Sequence, residues 1–146
     1  MFKGVDCVAE PALADRINSY AVVSYIPGAL GEFITRLREE LVCGCVAQSH
    51  VTILPPRALF APQEQLETTL AELAAEYPPF IVNMPRLDVF RQTSVVFVEI
   101  GAGYNQLIQM HSAFSAGPFA ADEPFEYHPH ITLAQGIQPE DVDAVF

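Results

Sequence analysis

The hydrophobic residues along the chain follow two different periods, and these predict a mixture of strands and helices. The predicted strands are short, rich in β-branched and aromatic residues, and bounded by proline or glycine. They cover residues 19–26, 46–54, 79–84, 86–90, 94–100 and a last strand at His130. The predicted helices carry apolar residues three or four positions apart. They cover residues 30–41, a segment from about Pro62, residues 103–115 and a segment from about Pro139. This order predicts an α+β fold.

The order of elements repeats, which predicts one domain made of two pseudo-symmetric αβ lobes. Sliding "AVVSYIPGAL" onto "SVVFVEIGAG" pairs Val22 with Val95 and aligns three further identical residues. The division places lobe 1 at about residues 19–90 and lobe 2 at about residues 91–146. Lobe 2 is expected to lack the last strands that follow the second helix of lobe 1. A homodimer could complete it with strands from a partner copy.

Composition and charge narrow the class of protein. The chain has 146 residues, of which 51% are hydrophobic, and this suits a single globular domain. It shows neither the apolar core of a signal peptide nor a run approaching the roughly 18 apolar residues of a membrane span. We therefore expect a cytoplasmic protein. The net charge of −11 disfavours binding of long nucleic acids, although a small anionic substrate in a locally neutral cleft remains compatible with it.

Two short segments carry the same unusual polar pattern. "SHVTILPP" places His50 two residues before Thr52, and "FEYHPHITLAQG" places His130 two residues before Thr132. Side chains two apart in a strand share a face. Each strand is therefore expected to present a histidine and a threonine on one face, while its intervening aliphatic residues turn to the core.

Paired histidines and threonines suit the chemistry of a phosphodiester. Imidazole titrates near neutral pH, so one histidine can accept a proton while another donates one. In-line cleavage needs a base on the attacking oxygen and an acid on the leaving oxygen, and approximate twofold symmetry would place His50 and His130 on opposite sides of one cleft. The hydroxyls of Thr52 and Thr132 could donate to the non-bridging oxygens. No metal or cofactor is required.

The two motifs carry a family resemblance. "HVTI" at residues 50–53 and "HITL" at residues 130–133 resemble the HxTx signatures of the 2H phosphoesterase superfamily, which includes the 2'-5' RNA ligase (LigT-like) proteins and cyclic phosphodiesterases. The ending "FEYHPHITLAQ" looks most like its small bacterial branch. The resemblance implies antiparallel sheets lining a central groove with both motifs at its base. It also implies opening or forming of 2',3'-cyclic or 2'-5' phosphodiester bonds in nucleotides or RNA ends.

Other polar and aromatic residues have two interpretations each. Arg57 follows the first motif and could bind a substrate phosphate. Tyr25 and Tyr127 could stack on a base, although packing in the core is the commoner role of a strand tyrosine. His111 lies in a predicted helix and is taken as structural or surface-exposed.

Two alternatives to an enzyme stay open. One is a non-catalytic module that binds a nucleotide or an RNA end. The other is a metal-binding protein that uses Cys43 and Cys45 with His50, or His128 with His130. The three cysteines, the third being Cys7, are too few for a disulfide framework, and two small apolar residues near a helix end are the preferred interpretation of Cys43 and Cys45.

Overall fold

A computed structural model describes residues 18–45 and 47–146, and its centre is an antiparallel sheet. Within those residues the strands are β1 (Ser19–Tyr25), β2 (His50–Ala58), β3 (Leu87–Phe90), β4 (Val95–Glu99) and β5 (His130–Ala134). The α-helices are α1 (Gly28–Leu41), α2 (Gln63–Ala75), α3 (Tyr104–Phe114) and the short α4 (Val142–Val145). The strand order is β1-β2-β5-β4-β3. The predicted α+β class is confirmed.

The sheet joins the two halves of the chain at its middle. β2 comes from the first half and β5 from the second, and they pair antiparallel with Val51 opposite Ile131. β1 lies outside β2, and β4 lies outside β5. β3, which the sequence division assigns to lobe 1, pairs with β4 at the edge of the sheet. The two motif strands are therefore direct neighbours.

One predicted strand is wrong. Residues 79–84 contain no strand, although they run beside the end of β4. The Asn83 N–H donates to the Ala102 carbonyl, and the Gly101 N–H donates to the Asn83 carbonyl. Prolines at positions 78, 79 and 85 flank this segment. Proline has no N–H to give to a strand ladder, so regular pairing cannot extend through them.

The first motif strand begins later and runs further than its pattern predicts. β2 covers His50–Ala58 instead of residues 46–54, and it includes Pro55 and Pro56. It pairs with β1 along its length, from Tyr25 opposite His50 to Ser19 opposite Ala58. Its pairing with β5 lies near its beginning, at Val51. Prolines are tolerated where one side of a strand lacks a neighbouring ladder, and this explains how β2 continues past them.

One face of the sheet packs against the helices and forms the main hydrophobic core with them. The strands contribute alternate residues to it, as the motif pattern predicts: Val51, Ile53, Val98, Ile131 and Leu133. The helices contribute Ile34, Leu66, Leu107 and Phe114. Position 31 requires glycine where β1 leads into α1, because a Cβ there would collide with the Ile26 carbonyl. The buried Ser49 hydroxyl donates to the Gly31 carbonyl at 2.8 Å and so anchors α1 beside the first motif.

A second, smaller cluster lies at the other end of β4 and β5. It contains Val96, Ala134, Ile137 and Val142, so the final helix packs on the sheet. Among the described residues, no helix is both long and apolar enough to span a bilayer.

Candidate active site

The pairing of β2 with β5 places each motif histidine beside the threonine of the other motif. Val51 lies opposite Ile131. Residue numbers across a regular antiparallel pair add to a constant, so His50 lies opposite Thr132 and Thr52 lies opposite His130. Directly opposite residues share a face of the sheet. All four side chains are half-buried, and they lie on the face opposite the main core.

The motif residues form part of two rows that cross the sheet. The outer members follow from the pairing of β1, β3 and β4 with their neighbours. One row contains Tyr25, His50, Thr132, Phe97 and Asp88. The other row contains Val23, Thr52, His130 and Glu99, and Arg86 extends it through an ion pair of 2.7 Å with Glu99. Neighbouring strands lie about 4.8 Å apart, so each row is a compact set of side chains.

Both histidine rings are oriented by the same local hydrogen bond. His50 Nδ1 lies 2.6 Å from the Gln48 carbonyl oxygen, and His130 Nδ1 lies 2.6 Å from the His128 carbonyl oxygen. A carbonyl can only accept, so Nδ1 carries the hydrogen in both rings. This leaves Nε2 of each ring as the nitrogen that can accept or donate the reacting proton.

The two rings differ in their surroundings. The centroid of the His130 ring lies 5.0 Å from that of Phe90 and 5.2 Å from that of Phe97, and these two phenylalanines stack on each other at 4.0 Å. The ring of His50 contacts Tyr25 at 6.3 Å, and Tyr25 is 58% exposed. His130 is therefore enclosed by aromatic rings, whereas His50 lies next to the exposed ring of Tyr25.

Burial has an electrostatic consequence for His130. Loss of hydration disfavours the imidazolium and lowers the pKa of His130, while its bond to the His128 carbonyl opposes that change. Positive charge on His128 and then on His50 lowers it further. A proton on His50 therefore disfavours a proton on His130. One neutral and one protonated histidine is the state that acid–base catalysis requires.

His128 orients His130 through its backbone carbonyl and contributes its ring to the aromatic surroundings of His130. Its carbonyl accepts the His130 bond, and its ring packs against Phe90, Phe97 and Tyr104 at centroid distances of 5.3, 5.6 and 5.7 Å. Its Nε2 is buried and has no hydrogen-bond partner in the described part of the chain. The ring therefore forms part of the apolar wall behind the second motif.

The structure does not bring Arg57 to the motif residues, which corrects the expectation that it contacts a substrate phosphate. The Arg57 side chain is buried, at 2% exposure, and its guanidinium donates to the carbonyls of Pro55 and Phe119 and to Glu123. The pairing gives the reason: Arg57 lies opposite Tyr20 of β1, which packs against the main core, so the Arg57 side chain falls on the core face.

Tyr127 is also away from the motif face, which corrects its assignment to base stacking. Its ring already stacks on His111 at 3.8 Å, and its hydroxyl donates to the Thr52 carbonyl at 2.8 Å. Tyr25 does lie on the motif face, beside His50. The structure thus separates the two tyrosines that have the same interpretation in the sequence.

A cavity of about 490 Å³ lies where β1 enters α1. Its lining includes Ile26, Thr35, Arg36 and Gln48. Gln48 is also the residue whose carbonyl orients His50. The cavity therefore lies next to the first motif along the chain.

The structure corrects the preferred interpretation of Cys43 as a small apolar residue. Cys43 is disulfide-bonded, whereas the Cys45 thiol is free. Cys7 lies outside the described residues. Over residues 18–45 and 47–146, no group of three or more histidine, cysteine, aspartate or glutamate side chains is arranged to hold a metal ion.

Several residues of the site are absent from the sequence interpretation. Phe90 and Phe97 enclose His130, and Glu99 with Arg86 extends its row. The sequence predicts strands at residues 86–90 and 94–100, with Phe97 and Glu99 on one face by alternation, but it assigns the two strands to different lobes. The structure pairs them as the β3–β4 hairpin. What the sequence did not reveal is that this hairpin lies against β5.

The fold and the site define an α+β protein whose two central strands each present a histidine and a threonine on one face. The family model described as the 2'-5' RNA ligase superfamily matches residues 26–146. The chain belongs to this superfamily, and its resemblance to the 2H phosphoesterases is confirmed.

Related proteins agree with this membership. Proteins named "Putative phosphoesterase" from Geobacillus kaustophilus (strain HTA426) and Geobacillus thermodenitrificans (strain NG80-2) are each 25% identical over 127 residues, which cover 81% of this chain and 69% of theirs. The crystal structure of E. coli LigT complexed with phosphate is similar with a TM-score of 0.53 and 19% identity. The match covers 82% of this chain and 70% of that one. These findings support an enzyme of the phosphoesterase type.

Proposed function

We propose that this protein hydrolyses or forms 2',3'-cyclic or 2'-5' phosphodiester bonds in small nucleotides or RNA ends, with His50 and His130 as its acid–base pair. The observation that carries the proposal is the matched orientation of the two rings. Each Nδ1 donates to a carbonyl two residues earlier at 2.6 Å, and each ring lies across from the threonine of the other motif. Two oriented Nε2 atoms on adjacent strands suit an in-line displacement at phosphorus.

The surroundings of the rings suggest their roles in hydrolysis. His130 favours its neutral form because burial lowers its pKa, and so it suits the general base. Its Nε2 takes a proton from water as the water oxygen attacks phosphorus. The bond from phosphorus to the leaving ribose oxygen breaks, and Nε2 of protonated His50 gives that oxygen a proton. Solvent exchange then restores both histidines, and formation of the bond follows the same steps in reverse.

The threonines suit the charge that gathers on the phosphoryl group. Their hydroxyls can donate to the two non-bridging oxygens, one from each strand, and such donors act best when they are already oriented. Tyr25 is the aromatic residue of the motif face whose ring is open enough to stack on a base. The LigT structure that resembles this chain is described as complexed with phosphate, and this agrees with a phosphoryl substrate.

The test is hydrolysis of 2',3'-cyclic nucleotides by the wild type, His50→Ala and His130→Ala, with EDTA present throughout. Loss of a general acid or base lowers the rate by about 10²- to 10⁴-fold, and we expect such a loss in each variant. The control is Thr68→Ala on the exposed face of α2, which should keep wild-type turnover.

Three outcomes would contradict the proposal. Turnover that persists in either histidine variant would remove the paired mechanism. A folded wild type that binds cyclic nucleotides saturably without turnover would favour the non-catalytic binding module, and loss of activity in EDTA would favour metal chemistry.

A further inference from the structure

Three side chains contact backbone carbonyls of β2 just beyond Val51, where β2 pairs with β5. The Tyr127 hydroxyl donates to the Thr52 carbonyl at 2.8 Å, and His111 Nδ1 lies 2.8 Å from the Ile53 carbonyl. Arg57 Nε donates to the Pro55 carbonyl at 2.9 Å. These carbonyls belong to the backbone of the motif strand, and one of them belongs to a motif residue. We call Arg57, His111, Glu123 and Tyr127 the β2 clamp.

A bridging carboxylate unites the clamp. Glu123 Oε1 lies 2.9 Å from Arg57 Nη2, and Glu123 Oε2 lies 2.9 Å from His111 Nε2. The exposed fractions of the Arg57, His111 and Glu123 side chains are 2%, 13% and 18%. Charged groups removed from water are stable only when they are paired and hydrogen-bonded, and here each finds a partner.

The hydrogen-bond roles within the clamp are set by its acceptors. The Ile53 carbonyl can only accept, so His111 Nδ1 carries a hydrogen. His111 Nε2 lies 2.9 Å from Glu123 Oε2. Both edges of the His111 ring are therefore engaged, which leaves the ring a single orientation against β2.

Tyr127 joins the clamp to the second motif. Its ring lies flat on His111, with an interplanar angle of 7°, and its hydroxyl reaches Thr52. Burial raises the pKa of Tyr127, and the charges of Glu123 and Tyr104 raise it further, so the phenol remains a donor at neutral pH. His130 follows only three residues later along the chain. One side chain therefore contacts the first motif while its backbone leads directly into the second.

We propose that the clamp, through Tyr127 and His111, positions Thr52 and His130 relative to each other for the reaction proposed above. The clamp lies on the far side of the strand from the reacting groups, so these residues act through the motif backbone and do not touch substrate. A misplaced donor weakens contacts made in the transition state more than contacts made on binding. Loss of the Tyr127 hydroxyl should therefore lower kcat and leave KM nearly unchanged.

The decisive variant is Tyr127→Phe, with Tyr20→Phe as its matched control. Tyr20 lies on β1 opposite Arg57, and its hydroxyl is also buried but has no hydrogen-bond partner among the described residues. Both variants remove one buried phenolic oxygen beside β2. We expect Tyr127→Phe to lower kcat about tenfold with KM within about twofold, and Tyr20→Phe to keep both within about twofold.

A destabilised control separates positioning from general weakening. Val145→Ala trims a residue packed on the smaller cluster, away from the motifs. Kinetics measured well below the melting temperature of every variant should show wild-type kcat in Val145→Ala, even where its stability equals that of Tyr127→Phe. A kcat that simply follows stability across the three variants would overturn the proposal.

A spectroscopic readout keeps this inference testable if the wild type shows no turnover. Nitrogen–proton spectra of the histidine rings report ring environment without substrate. Tyr127→Phe should shift the ring signals of His130 and His50, while Tyr20→Phe should leave them in place. Unmoved ring signals in Tyr127→Phe would overturn the clamp whatever the assay shows, whereas absent turnover with shifted signals would count against the proposed reaction alone.

Discussion

The two motif strands share a pattern but not an environment. His50 and His130 make the same Nδ1 bond at the same 2.6 Å, so the motif alone sets their orientation. Around His130, however, two stacked phenylalanines and His128 exclude water, whereas His50 lies beside an exposed tyrosine. Duplicated motifs can therefore supply equivalent geometry, while the neighbouring strands make the two groups chemically unequal.

The largest effect that would test this comparison concerns the threonines. Thr52→Val and Thr132→Val keep the shape of the side chain and remove its hydroxyl. Removal of one donor to a developing oxyanion lowers kcat by about 10²-fold, and we expect a similar loss in both variants because the rows make the two positions equivalent. Steady-state kinetics on a 2',3'-cyclic nucleotide provide the measurement. Thr68→Val on α2 serves as control, and a loss in only one motif would break the equivalence.

A smaller effect should appear in the pH profile. A general base must be neutral, so kcat/KM falls as the pH drops through the pKa of that base. Burial lowers the pKa of His130. The acidic limb of the profile should therefore lie below the usual histidine value of about 6.5. Phe90→Ala admits water to the ring and should move the limb upward by about half a pH unit.

The matched control for this profile is Phe60→Ala, which alters a side chain 89% exposed. If Phe90→Ala moves the alkaline limb instead, His130 is the general acid and His50 is the general base. No movement of either limb would show that Phe90 does not set the hydration of His130.

The smallest effect concerns charge in the row of His130. Arg86 pairs with Glu99, which lies directly opposite His130. Arg86→Gln leaves that carboxylate unpaired; its negative charge should then favour the imidazolium and raise the acidic limb by about 0.3 pH units at low salt. Arg91→Gln is a close control, because Arg91 is 65% exposed against 68% for Arg86 and pairs with Asp143 at the other end of β3. Equal profiles in the two variants would exclude this influence.

The features of the site that depend on neighbours along the chain could be predicted from the sequence, whereas those that depend on residues far apart in the sequence could not. The motif residues and the strand faces they occupy follow from local alternation, and the α+β class follows from the order of elements. Arg57 and Tyr127 illustrate the limit of prediction from residue type. Both types suit substrate binding, but both side chains belong to the β2 clamp. Arg57 lies beyond the predicted strand, and its place on the core face depends on the continuation of β2 through Pro55 and Pro56. The stacking of Tyr127 on α3 likewise has no local signal.

The amino-acid sequence by itself determined the two His-x-Thr pairs, their shared face within each strand and the membership in the superfamily that those motifs indicate, because these depend on neighbours along the chain. Only the tertiary structure decided that the pairs lie crosswise on adjacent strands, that the β3–β4 hairpin encloses His130, and that His111 and Glu123 brace β2. Those contacts join residues far apart in the chain, where packing and burial, rather than periodicity, select the partner.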